Sequence, residues 1–126
     1  MTNTSRLDKR RRFSRIEFHR RAVLLHDNRH WHVEIIDISL NGVLIKKPPQ
    51  WDGDPRLPFA ISIGLDNETV RISMSLALVH QESGRLGFQC QQMDLDSATH
   101  LKSLLMNNIG DPELINRQLS ALIRTA

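Results

Sequence analysis

Residues 68–78, ETVRISMSLAL, alternate in character along almost their whole length: Val70, Ile72, Met74, Leu76 and Leu78 recur at every second position, separated by Arg71, Ser73, Ser75 and Ala77. A helix would scatter these apolar groups around its circumference, whereas a strand puts them all on one face. The segment therefore reads as a long strand with one side in a core. RLGFQCQ (85–91) repeats the pattern with Leu86, Phe88 and Cys90, and the intervening QESG supplies a turn, so 68–92 reads as a hairpin. Four earlier segments carry shorter strand signals: 17–25 (EFHRRAVLL), 30–36 (HWHVEII), 42–46 (GVLIK) and 59–64 (FAISIG). Six strands divided by turn residues predict a mainly β protein built on a six-stranded antiparallel β-barrel, because closure leaves no strand edge exposed.

The period changes near residue 96. Leu101, Leu104, Leu105 and Ile109 recur at helical spacing, with Asp96 or Ser97 as the expected cap and Asn108 with Gly110 as the stop. A second helix is predicted from Asp111 as N-cap and Pro112 in the first turn, with Leu114, Ile115, Leu119, Leu122 and Ile123 on its apolar stripe. Such stripes cover a core, here an end or side of the barrel. The loop 46–58, KKPPQWDGDPRLP, is rich in Pro, Gly and Asp, and Trp51 is expected to anchor it to the barrel. The chain thus divides into a flexible basic N-terminal arm (1–16), a barrel (17–95) and C-terminal helices (96–124), all within a single domain of 126 residues.

Charge is distributed unevenly. Residues 6–21 hold eight Lys or Arg against two acids, while the remainder holds nine bases against twelve acids. A uniformly basic coat for nucleic acid does not fit this distribution, since the positive field is concentrated in one short arm. Within it RRRFSR places Arg10, Arg11, Arg12 and Arg15 in six positions. Arginine presents a planar fork that binds phosphate bidentately, reaches the O6 and N7 acceptors of guanine, or stacks on a purine face. No apolar run is long enough to span a bilayer, no secretory signal is read at the N-terminus, and the single Cys90 suits a reducing compartment. A cytoplasmic location, with no membrane attachment, is expected.

A second motif, DISLNG at 37–42, keeps Asp37, Ser39 and Gly42 in the spacing D-x-S-x-x-G. Taken alone, it uses the residues of any strand connection. Paired with Arg11-x-x-x-Arg15 about twenty residues upstream, directly preceded by Arg10, it resembles the PilZ domain family. WDGDP, LGF and LDSATHL look similar to the small stand-alone PilZ receptors of pseudomonad-type bacteria. The resemblance implies a receptor for the bacterial second messenger cyclic di-GMP, which performs no chemistry and needs no cofactor.

On that reading Arg10, Arg11, Arg12 and Arg15 attract the phosphates and guanines, and Asp37 accepts from the N1–H and N2–H₂ donors that adenine lacks. Ser39 either bonds the ligand or orients its loop, and Gly42 permits either an unusual backbone angle or a close approach of chains. In the family, an arginine directly before the R-x-x-x-R pair goes with two intercalated ligand molecules, and Arg10 holds that place. Close relatives can carry a stacking tryptophan where this chain has Val79, which leaves the bound pair less supported on one side. The expected partners are cyclic di-GMP and a downstream protein, the receptor itself being a monomer. The alternative is a single-stranded nucleic-acid binder using arm and barrel, disfavoured by four Phe, two Trp and no Tyr. An enzyme is not expected. His30 and His32 fall on one strand face without a convincing third metal ligand, and His19, His26, His80 and His100 show no catalytic spacing.

Overall fold

The computed structural model describes residues 13–67 and 69–125. Six strands, β1 (Ile16–His26), β2 (Arg29–Ser39), β3 (Gly42–Lys46), β4 (Phe59–Leu65), β5 (Val70–Glu82) and β6 (Arg85–Met93), precede two helices, α1 (Leu95–Ile109) and α2 (Pro112–Thr125). The strands close into a barrel in the order β1-β2-β3-β6-β5-β4, with every neighbouring pair antiparallel. The predicted fold is the observed one. On β5, Ile72, Met74, Leu76 and Leu78 point into the core while Arg71, Ser73 and Ser75 face out, as their alternation requires.

The ladders run further than the sequence pattern does. β2 continues to Ser39 because Ile38, fully buried, still pairs with Val43. The β5–β6 turn narrows from QESG to Ser83 and Gly84, both left-handed at φ 54° and 75°, so Glu82 pairs with Arg85 within the ladder. Two residues with positive φ match the right-handed twist of the flanking strands.

The connection from β3 to β4 is held at one end of the barrel by an aromatic stack. Trp51 packs 4.8 Å from Trp31 and 5.8 Å from Phe59, ring centroid to centroid. Gly53 lies under it so closely that a Cβ there would come 2.4 Å from the indole ring. His26, only 2% exposed, stacks on Phe59 at 3.8 Å. Its Nε2 accepts from the Asp54 N–H at 3.1 Å, which leaves Nδ1–H to donate to the Pro58 carbonyl at 3.0 Å. The loop is thereby tied to β1 by a neutral imidazole.

The helices cover the barrel from the other direction. α1 is capped by Asp94 and not by Asp96 or Ser97: the Ser97 N–H donates to Asp94 Oδ2 at 3.3 Å. Ser97 is buried because its hydroxyl has a different task, accepting from the Ser73 N–H of β5 at 2.9 Å. Gly110 ends α1 in the left-handed conformation, and Asp111 caps α2 through the Leu114 N–H at 3.1 Å. Leu101, Leu105 and Ile115 are fully buried, each worth about 1.5–3 kcal/mol of apolar burial. The side chains of Leu122 and Ile123 lie outside the described residues.

One polar residue interrupts the apolar stripe of α2. Gln118 is 5% exposed, its Oε1 accepts from the Ser14 N–H at 2.9 Å, and its Nε2 donates to Ser14 Oγ at 2.8 Å. With Phe13 and Ile16 buried in the core on either side, this double bond sets where the chain enters β1. Replacing Gln118 by Leu strands both Ser14 groups, so we expect a loss of about 1–3 kcal/mol in urea unfolding. An unchanged midpoint would show that the bond carries no stability.

Candidate functional site

Between β2 and β3 the chain turns through Leu40 and Asn41. Leu40 is fully buried and anchors the turn from below. Ser39 Oγ–H donates to Asn41 Oδ1 at 2.8 Å, and the Asn41 N–H donates back to Ser39 Oγ at 3.3 Å. Ser39 is itself only 2% exposed, so its hydroxyl orients the loop. The Asn41 carbonyl accepts from the Cys90 N–H at 2.7 Å, which fixes the turn onto β6.

Gly42 follows immediately, and of the two reasons for a glycine there, close approach is the operative one. It is absent from the residues with left-handed φ, but a Cβ on it would sit 2.3 Å from the Phe88 carbonyl oxygen. No side chain fits that gap without moving backbone. The β3–β6 crossing therefore brings the D-x-S-x-x-G turn flush against LGF, with Leu44 paired to Gly87 and Asp37 paired to Leu44.

Over this crossing lies a cavity of about 390 Å³ on the outside of the barrel. Arg15 and Asp37 stand on one side, Leu44 and Gly87 form its floor, and Val79 and His80 close the far side. Val79 reaches it because β5 slips its register between Leu78 and His80, leaving the intervening side chain 60% exposed. His80 lies across from Gly87, where an added Cβ would come within 3.1 Å of the His80 Cβ, and its Nε2 is 3.1 Å from Glu82 Oε1.

Asp37 is half-buried. Burial pushes its carboxyl above the ordinary aspartate range, against the opposing pull of Arg15 and Arg85, and its ladder partner Glu17 pushes the same way. Among the described residues this carboxylate has no hydrogen-bonded partner, and it favours a ligand that donates to it.

Of the residues singled out from sequence, Arg15, Asp37, Ser39 and Gly42 line this one cavity. Arg10, Arg11 and Arg12 lie outside the described residues. Asn41, His80 and Gln89 also line it and were not selected from sequence. Asn41 is inside the motif at a position the spacing leaves open, and Gln89 enters through its pairing with Gly42, a register no local pattern displays. His30 and His32 meet edge to face at 5.7 Å, and the described residues contain no group of three metal-ligating side chains. No helix among the described residues is long and apolar enough to cross a membrane.

The family model of the PilZ domain matches residues 9–107, a span that includes the arginine pair, the turn and the whole barrel. The chain belongs to the PilZ domain family. PilZ domains are cyclic di-GMP receptors, generally without catalytic activity. Solved structures show the same fold at low identity. The PilZ domain of CeSA from a cellulose-synthesising bacterium superposes with a TM-score of 0.57 at 19% identity, covering 74% of this chain and 95% of that one. The Bacillus subtilis inhibitor of motility MotI (DgrA) gives 0.62 at 14%, covering 88% of this chain, which spans 52% of that protein. An uncharacterised Legionella protein gives 0.51 at 18%, with 76% and 94% covered.

Two substitutions test this PilZ site as geometry. Gly42→Ala must displace the Phe88 backbone, and we expect it to cost about 1–3 kcal/mol in urea unfolding. Asp37 behaves oppositely. Its raised pKa means that its contribution to stability is present below the ordinary carboxylate value and is lost as pH rises through the raised one, so at pH 7 the charge is a net burden. Asp37→Asn should unfold no earlier than the wild type at pH 7, and a clearly lower urea midpoint would contradict that.

Proposed function

We propose that this PilZ domain is a non-catalytic adaptor that takes cyclic di-GMP, two intercalated molecules at a time, into the cavity over the β3–β6 crossing. The observation that supports it most is convergence: Arg15 and Asp37, from separate strand ends, line the same cavity beside the Ser39–Gly42 turn. Phosphates meet Arg15 together with Arg10, Arg11 and Arg12. Asp37 accepts from the guanine edge, and its desolvated carboxylate gains more from two N–H donors than an exposed one would.

Val79 gives one wall an aliphatic contact in place of a stacked ring, and His80 beside it offers the nearest imidazole face on that side. Neutralising the arginines with phosphate removes the repulsion among them, so ligand orders the arm and creates a surface that a downstream protein reads. Micromolar binding needs about 8 kcal/mol. Several charge-assisted hydrogen bonds and stacking are sufficient for that after the ordering cost.

Calorimetric titration with cyclic di-GMP provides the test. We expect a stoichiometry near two per chain, and loss of most binding in Arg11→Ala and in Asp37→Ala. A stoichiometry near one would remove the second ligand and keep the receptor, whereas no heat from the wild type would remove the receptor. Because the ligand's donors require an ionised Asp37, affinity should fall on acidification sooner than an aspartate with the ordinary value of 3.8 would cause. Asp37→Asn should lack that component of the pH dependence.

A further inference from the structure

The wall formed by β1, β2 and β3 carries a second basic surface, built from residues distinct from those of the cavity described above. Two adjoining concavities, of about 370 and 400 Å³, share Arg21, Glu34 and Lys46. Between them His19, Arg20, Arg21, His32, Lys46 and Lys47 present four permanent cations and two imidazoles. Glu34 is the carboxylate lining both, and it is engaged: Lys46 Nζ sits 3.0 Å from its Oε2 and holds its carboxyl below the usual range. Arg20, Arg21 and Lys47 are exposed. Pro48 and Pro49 bound one end with rigid backbone.

The distribution of acids makes this surface distinctive. The other acids of these strands, Glu17 and Asp37, pair with each other in the β1–β2 ladder and do not line the concavities, while Asp27, Asp52, Asp54 and Asp66 occupy turns and loops and Asp94, Asp96, Asp111 and Glu113 flank the helix starts. The two concavities therefore carry four cations against one carboxylate, although the barrel and helices taken by sequence have more acids than bases.

We propose that the β1–β2–β3 wall is a docking surface for an acidic segment of a partner protein. Charge complementarity requires an anionic occupant, and the character of the wall selects among polyanions. Single-stranded nucleic acid is held by exposed aromatic platforms, whereas the tryptophan on this wall, Trp31, is half-buried against Trp51. A membrane-bound face combines cations with inserted apolar side chains, and of the large exposed apolar residues described only Leu25 stands on these strands. Carboxylates spaced along a peptide suit shallow concavities bordered by arginine, lysine and proline. The surface is built from residues that the cavity does not use, so the proposal goes beyond the receptor reading and is tested separately from it.

The test uses the full chain with Arg10, Arg11, Arg12 and Arg15 replaced by Ala, so that the arm does not capture the probe, a fluorescein-labelled polyglutamate peptide followed by anisotropy. We expect salt-sensitive binding that weakens roughly tenfold in Arg21→Glu with Lys47→Glu and is unchanged in Arg56→Glu, a loop arginine already paired with Asp54. Amide shifts on peptide addition should fall at 19–21, 32–34 and 46–47. If the charge-reversed pair unfolds early, Arg21→Gln with Lys47→Gln gives the same comparison with a smaller effect. Absence of binding, an undiminished affinity in both pairs, or shifts confined elsewhere would overturn the proposal. So would tighter binding of oligothymidylate or of phosphatidylglycerol vesicles to the same wall.

Discussion

The contact between Gly42 and the Phe88 carbonyl is the constraint on which the rest of the molecule depends. β3 is short, and it joins the β1–β2 hairpin to the β5–β6 hairpin on one side of the barrel, as β4 does on the other. A side chain at position 42 would push β3 and β6 apart where they pair. The same contact lays the Ser39–Gly42 turn against LGF and creates the floor of the cavity. The β3–β6 pairing and the construction of the site are therefore one event at one backbone position.

Much of this architecture is legible along the chain because its cause is local. Alternation in 70–78 dictates a strand whether or not its neighbours are known, and Asp111-Pro112 dictates a helix start. Other features resist such reading. Asp94 caps α1 because Ser97 is recruited inward by the Ser73 N–H, a partner 24 residues away. Gln118 looks like a blemish on the stripe of α2 until Ser14 is seen beside it. His80 and Gln89 join the cavity only through register, and Val79 only through a slip in that register. Each is a long-range pairing with no periodic signature. Arg15, Asp37, Ser39 and Gly42 are singled out because the two paired motifs resemble the PilZ family, and all four line one cavity.

The three stretches that resemble small PilZ receptors have separate physical roles. WDGDP supplies the indole, the glycine beneath it and the Asp54 amide that His26 accepts from. LGF provides the carbonyl and the bare strand position beneath the cavity. LDSATHL opens α1 and carries the serine that docks it on β5. These stretches maintain the scaffold, while the charged residues of the arm and the first three strands give the surface its individuality.

The paired hydrogen bonds between Ser14 and Gln118 span 104 positions of chain and tie the last helix to the segment that enters β1. The first strand and the final helix are thus fastened to each other directly, so fraying of either one would expose polar groups that the other keeps satisfied.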